Sequence, residues 1–275
     1  MANNEFEAAV LKWREERAER LRTNEKSWLG LAGLFWLKEG KNTFGNASTC
    51  DFVLPNCTAR KAGAFIFKGG QVSVEVEPGV KVTCNGEAIP SRPLQDDETD
   101  KPDFLLVDHL ILVLIRRGES TLIRAWDIDH PLRKNFKGLN FFPYKPEFRL
   151  LAKYNGYAPY KIVKQEDIIG EIRDRKMLGY VTFQLDGNEY RLDAEDGGEG
   201  LFIAFRDKTN GATTYAGGRY LLTEKLDKDQ VVIDFNRSYN MACAYTVYAA
   251  CDLSTPENRL PIAIEAGEMK YHANQ

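Results

Sequence analysis

The chain opens in the helical period. Phe6, Val10, Trp13 and Leu21 recur at spacings near 3.6 with charges between them, which predicts an amphipathic helix from about Asn4 to Arg22. Arg17 interrupts the stripe, so its stem is expected along the edge of the apolar face. The helix is expected to dock on the domain it precedes, the alternative being a partner-binding helix. After the apolar run Trp28 to Leu37 the period falls to two. Phe52 to Leu54, Ala64 to Phe67, Val72 to Val76, Val80 to Val82, Phe104 to Val107, Leu110 to Arg116 and Thr121 to Trp126 all fit strands. Gly69-Gly70, Pro78-Gly79, Asn85-Gly86 and Gly118-Glu119 punctuate them as turns. Gly40 to Asp127 therefore reads as one antiparallel sandwich.

A connector rich in Pro, Asn and basic residues follows, carrying the rings of Phe136, Phe141, Phe142 and Tyr144. So many aromatics predict packing rather than a solvated linker. From Phe148 a second β unit begins. Gly179 to Leu185 and Tyr190 to Asp193 flank Asp186-Gly187, a strong hairpin signal, and Gly200 to Phe205, Tyr220 to Leu222, Val231 to Phe235 and Ala244 to Ala249 add strands. The expected fold is mainly β with an N-terminal helix and two mostly antiparallel β units. Its expected divisions are a helix over 1–24, a sandwich over 25–127, a connector over 128–147 and a C-terminal unit over 148–275.

Composition adds exclusions. A net charge of −3 over 275 residues, with bases and acids interspersed, argues against nucleic acid as a partner. The longest apolar run is too short to span a bilayer, so no membrane association is expected. The N-terminus shows no export pattern, and the five cysteines are odd in number and scattered. Free thiols in a reducing cytoplasm are the expectation.

The densest chemistry lies in VVIDFNRSYNMACAYTVYAACDLSTPENRLP, from Val231 to Pro261. Asn and Asp beside an apolar strand need either a ligand or an internal hydrogen-bond network. Asp234 is the candidate catalytic base; Arg219, Asn236, Tyr239, Asn240 and Asn258 are the candidate substrate-binding residues. Arg219 follows Gly217-Gly218, where backbone can approach closely, and offers a planar fork to a carboxylate or phosphate. The competing reading makes Asp207 with Asn210-Gly211 a capped turn, and Asp234 with Arg219 a buried ion pair.

Two weaker candidates remain. Asp127 and Asp129 would share a face of an extended strand, as paired acid and base would, though solvated acids at a strand end fit as well. Cys243 follows Tyr239 and Asn240 in a polar loop, but no base lies nearby in sequence, so a small buried residue is the plainer reading. No metal and no cofactor are indicated: the three histidines are dispersed, and the chain has no C-x-x-C, G-x-S-x-G, Walker or dinucleotide motif.

Ser27-Trp28-Leu29, Leu34-Phe35-Trp36-Leu37, Phe44-Gly45, Phe136-Lys137-Gly138, Thr214 to Arg219, Asp234-Phe235-Asn236, Tyr239-Asn240 and Glu257 to Pro261 together resemble a bacterial family known as a domain of unknown function (sixteen eighty-four). Met241-Ala242 stands where that family's pattern implies two prolines, and Ser254-Thr255 departs in the same way. Separately, Phe44-Gly45, Asp51 to Pro55 and Asn85 to Ile89 resemble the rhythm of a forkhead-associated sandwich. That resemblance implies phosphothreonine recognition by an arginine after the glycine and a Ser-x-x-His stretch. Here Asn46 follows Gly45, and Ala59 to Gly63 holds neither the serine nor the histidine, so that reading is expected to be lost.

Two functions follow as expectations. One is binding of a small anionic or polar molecule in the C-terminal unit, with hydrolysis as the chemistry Asp234 would serve. The other is a protein-interaction module built on the forkhead-associated-like sandwich.

Overall fold

The computed structural model describes residues 2–272. The chain divides into two compact units, Leu21–Phe136 and Met1–Arg20 with Lys137–Gln275. Helix α1 (Ala2–Thr23) begins in the second of these.

The unit Leu21–Phe136 is a sandwich of β1 (Leu31–Trp36), β2 (Gly40–Gly45), β3 (Phe52–Val53), β4 (Gly63–Lys68), β5 (Gln71–Val76), β6 (Val82–Cys84), β7 (Glu87–Ala88), β8 (Ser91–Pro93), β9 (Phe104–Val107), β10 (Leu110–Arg117) and β11 (Ser120–Asp127). One sheet runs β1-β11-β10-β9-β6-β7 and the other β3-β2-β4-β5-β8, all antiparallel except β2 with β3. Alternation along β5 and β2 sends Val72, Val74 and Phe44 inward against Leu105, Leu112 and Leu114 of the facing sheet. Phe44 stacks on Phe65 at 4.7 Å and Phe35 on Phe52 at 5.1 Å. The Asn85-Gly86 turn has both residues at positive φ, 50° and 93°, the conformation that gives a two-residue hairpin its matching twist. A single helical turn, α2 (Pro131–Lys134), closes the unit, capped by His130.

The other unit holds one sheet of seven strands. These are β12 (Arg149–Glu166), β13 (Ile172–Leu185), β14 (Asn188–Gly197), β15 (Gly200–Phe205), β16 (Arg219–Leu222), β17 (Gln230–Asp234) and β18 (Tyr239–Asn240), in the order β17-β12-β13-β14-β15-β16-β18. The sheet curls until the chain after β16 meets β17, where Glu224 N–H donates to Val232 O at 3.1 Å. Its inner face packs Val181, Phe183, Leu192, Ile203, Phe205, Ile233 and Phe235. Phe235 makes edge contacts with Phe183 (5.6 Å) and Phe205 (5.3 Å), so the turn after β17 is pinned to the core.

Three differences from the sequence reading have physical causes. The contacts of Trp13 and Arg17 run to Phe141, Tyr239 and Glu268 of the C-terminal unit, not to the domain the helix precedes. Ala244 to Ala249 is not a strand. Small residues let Ala242–Ala244 close as a 3-10 turn, and Tyr245 turns inward. The 18-residue β12 is longer than the β signal predicts, because its outer half pairs polar and charged positions such as Lys164↔Asp174 and Gln165↔Arg173 rather than apolar ones.

Phe65 is fully buried between Phe44 and Phe52. Phe65→Ala is expected to lower stability by about 3–5 kcal/mol, read as a lower urea midpoint for the transition of this unit.

Candidate functional site

Strand β17 ends on Asp234, which caps the 3-10 turn Phe235–Arg237. Its Oδ1 accepts the Asn236 backbone N–H and side-chain Nδ2, each at 3.0 Å. Asn236 also clasps the backbone of Lys145, accepting its N–H at 3.0 Å and donating to its carbonyl at 2.8 Å. Asn236 thus anchors the end of the connector, with both of its side-chain donors spent on protein acceptors.

The other carboxylate oxygen of Asp234 faces a different environment. Arg149 of β12 lies directly opposite Asp234 in the strand register, and Arg237 Nε is 3.9 Å from Oδ2. Arg14 of α1 and Tyr144 of the connector also feel this charge. Five buried polar atoms of these four side chains have no hydrogen-bond partner: Arg14 Nε and Nη2, Tyr144 OH, Arg149 Nη1 and Arg237 Nε. Such groups are uncommon among buried polar atoms, and water or a polar ligand can supply the missing partners. Their remaining contacts hold them in place. Arg14 lies over the Phe141 ring (4.6 Å), while Arg149 lies over Phe6 (4.1 Å) and pairs with Glu224 (2.9 Å). Burial raises the pKa of Asp234 against the pull of Asn236, Arg237 and Arg149. Burial, with Asp234, raises that of Tyr144. Arg14 is lowered by burial, which Asp234 and Glu7 oppose.

The other sequence candidates sit elsewhere. Arg219 is wholly enclosed, and its partner is Asp207 (2.8 Å), not Asp234. It also donates to the carbonyls of Ile264 (2.9 Å) and Ala266. Its Nε has no hydrogen-bond partner, but the guanidinium holds three internal acceptors and is sealed from solvent, so it is a brace and presents no fork to an outside anion. Gly218 is needed because a Cβ there would meet Phe205 O at 2.6 Å, so the close approach is to β15 and not to a ligand. Asp207 also caps its own turn through Thr209, so both structural roles fall on one residue. Asn258 is equally committed: it accepts Asp193 N–H (2.7 Å) and donates to the carbonyls of Asp193 and Ala204, each at 2.9 Å.

Asn240 and Tyr239 belong to a second cluster, around Glu268. This carboxylate has no solvent exposure. It accepts from Arg17 Nε (2.8 Å), Asn240 Nδ2 (2.8 Å), Asn240 N–H (3.3 Å) and the Tyr245 hydroxyl. The Arg17 guanidinium also stacks on the Tyr239 ring at 4.6 Å. Burial works against the charge of Arg17, but Glu268, Tyr245 and Tyr239 outweigh it and raise its pKa. Burial and Glu268 raise that of Tyr245.

Arg14, Arg17, Tyr144, Arg149 and Glu268 were not candidates from sequence. Only Arg17 carried a signal, as the charge breaking an apolar stripe. The Asp127 and Asp129 side chains do not work as a pair: Asp127 is buried and accepts Asp129 N–H (2.7 Å), whereas exposed Asp129 pairs with Lys134 (3.0 Å).

With the fold and site in view, the comparisons assign a family. Residues 134–269 match the family described as "Protein of unknown function (DUF1684)", and the chain belongs to that family. It is similar to an uncharacterized protein of Haloarcula marismortui solved by solution NMR. That match has 31% identity over 50% of this chain and 78% of the other, with a TM-score of 0.42. It is also similar to the FhaA FHA domain, solved in complex with an intracellular domain (20% identity, 33% of this chain, 85% of the other, TM-score 0.25). A third similarity is to an FHA domain studied for phosphothreonine-dependent interactions (19% identity, 33% of this chain, 91% of the other, TM-score 0.25). No curated protein matches the chain. Among the described residues, no helix is long and apolar enough to cross a membrane.

Two predictions follow from these clusters. Arg17→Met leaves Glu268 buried without its cation and is expected to cost about 3–5 kcal/mol in urea unfolding; the double variant with Glu268→Met should recover a large part of that loss. Asp234 has a folded pKa raised above the ordinary aspartate value of 3.8. Between those two values the unfolded chain has lost the proton and the folded chain retains it, so stability falls as pH rises through the window. Asp234→Asn should flatten that slope in urea midpoints measured against pH.

Proposed function

We propose that the C-terminal unit binds a small anionic molecule beside Asp234, held by Arg14, Tyr144, Arg149 and Arg237. The observation that carries this reading is the set of five unpartnered buried donor atoms on those four side chains. A carboxylate or phosphate supplies several acceptor oxygens and suits arginine forks better than water does. Glu7 and Glu224 offset part of the positive charge, which favours an anion of one or two charges over a polyanion. Asp234 is the group that would face the bound molecule with a carboxyl that burial inclines to hold a proton. That supports hydrolysis as the chemistry to assay, with Asp234 as proton acceptor or donor.

Titration calorimetry at low ionic strength with inorganic phosphate and with malonate tests the site. Binding is expected in the wild type, weakened about tenfold or more in Arg149→Gln and in Tyr144→Phe. Asp234→Asn removes the negative charge the carboxyl carries above its raised pKa, so at higher pH it should tighten anion binding while abolishing any hydrolysis of a phosphate or carboxylate ester. Failure to bind either anion, or binding indifferent to Arg149→Gln and Tyr144→Phe in folded protein, would sink the proposal.

One observation favours the second reading, a protein-interaction module. The sandwich carries an open cleft of about 250 Å³ lined by Leu34, Phe35, Trp36, Lys38, Asn42, Asp51 and Phe52, with Trp36 45% exposed at its margin. Phosphothreonine reading is not part of it. Asn46 spends its side chain on the Cys57 carbonyl (2.6 Å). Trp36→Ser should then reduce partner binding and leave anion binding unchanged.

A further inference from the structure

We propose that Cys243 and Cys251 form an oxidant-reactive dithiol whose substrate is a small hydroperoxide, with Cys243 the sulfur that attacks the peroxide and Cys251 the resolving one. The geometry is specific to this pair. Cys243 backbone N–H donates to Cys251 Sγ at 3.2 Å. With standard bond lengths that contact limits the two Cα atoms to about 7.5 Å apart, so a shift of about 1 Å brings them into the range a disulfide spans.

Their carriers suit the exchange. Cys251 is buried and its backbone is fixed, since its carbonyl accepts Ile168 N–H (2.9 Å) and the next carbonyl accepts the Tyr220 hydroxyl (3.0 Å). Cys243 is half-buried on the 3-10 turn Ala242–Ala244. Between them the loop reaches solvent at Val247, 85% exposed, which leaves it free to adjust as the sulfurs join. The Cys251 thiol and the Tyr215 hydroxyl both stabilise a Cys243 thiolate, lowering its pKa against burial. Burial raises Cys57 and pushes Cys84 up to about 11, so those thiols have no such activation. A low-pKa, half-buried sulfur beside a second thiol is an arrangement that redox-active cysteines use.

The Cys243 thiolate attacks one peroxide oxygen and the O–O bond breaks. Sulfur is oxidised to sulfenic acid, and the second oxygen leaves as hydroxide or alkoxide, which takes a proton from solvent. The Cys251 sulfur then attacks the sulfenic sulfur as its S–O bond breaks. The departing hydroxyl takes the Cys251 proton and leaves as water, and a disulfide closes. Two electrons have passed to the peroxide, and a dithiol reductant restores both thiols by exchange.

The full chain, exposed to equimolar hydrogen peroxide at pH 7 and then alkylated and mapped by mass spectrometry, tests this. The expected product is a Cys243–Cys251 crosslinked peptide two hydrogens lighter, formed at least about tenfold faster than Cys50 is oxidised in the same sample. Cys251→Ser should instead accumulate a Cys243 sulfenic acid that a cyclic 1,3-diketone labels, and Tyr215→Phe should slow the reaction. Oxidation of Cys243 no faster than Cys50, or a crosslink between other cysteines, overturns the proposal. The Cys251→Ser labelling arm decides the same question if the crosslink is strained.

Discussion

Glu268 puts a carboxylate where no water reaches it, and the C-terminal unit is arranged around that fact. Holding such a charge in protein costs several kcal/mol unless partners replace its hydration. The partners come from three separate stretches: Arg17 on α1, Asn240 on β18 and Tyr245 in the loop beyond. Each stretch is weak alone. Strand β18 is two residues long, and the loop after it has only short 3-10 turns. Glu268 lets these pieces share one buried acceptor, and its own backbone N–H is tied to Ser238 O at 2.9 Å.

The same solution recurs wherever the unit runs out of regular structure. Backbone groups of loops need partners as much as those of strands do. Asn236 pairs with the Lys145 backbone as a neighbouring strand would, and Asn258 does so with Asp193 and Ala204. Arg219 takes the carbonyls of Ile264 and Ala266 while Asp207 neutralises it. Most of the polar density between Val231 and Pro261 is therefore internal bracing. The Asp234 end differs in that unpartnered donors from several segments converge there.

How much of this was legible depends on range. The strands, the Asn85-Gly86 and Asp186-Gly187 turns and the mainly β class follow from local pattern, because alternation and turn chemistry are local properties. The apolar stripe of α1 was legible too, but a stripe reports that a face is covered and not what covers it. Arg17 meets a residue 251 positions away, and no spacing rule reaches that far. Arg149 and Tyr144 were hidden for a related reason: they become neighbours of Asp234 only once β12 pairs with β17. Asp234 was legible because a carboxylate directly after an apolar strand stands out. Arg219 stood out for its glycines, and those glycines served β15.

The bracing and the unpartnered donors are parts of one arrangement. Long side chains that lack partners lose their geometry unless their backbones are fixed. Arg149 sits in a register that sets it opposite Asp234, and Arg237 lies on a turn capped by Asp234 and pinned by Phe235. Arg14 has neither support. It is three residues before Arg17 on the same helix, however, and residues at that spacing share a face. The Arg17–Glu268 pair therefore fixes the rotation of α1 about its axis, and with it the direction from which Arg14 approaches Asp234. A charge buried for structure at Glu268 in this way sets the position of a charge left unpaired at Arg14.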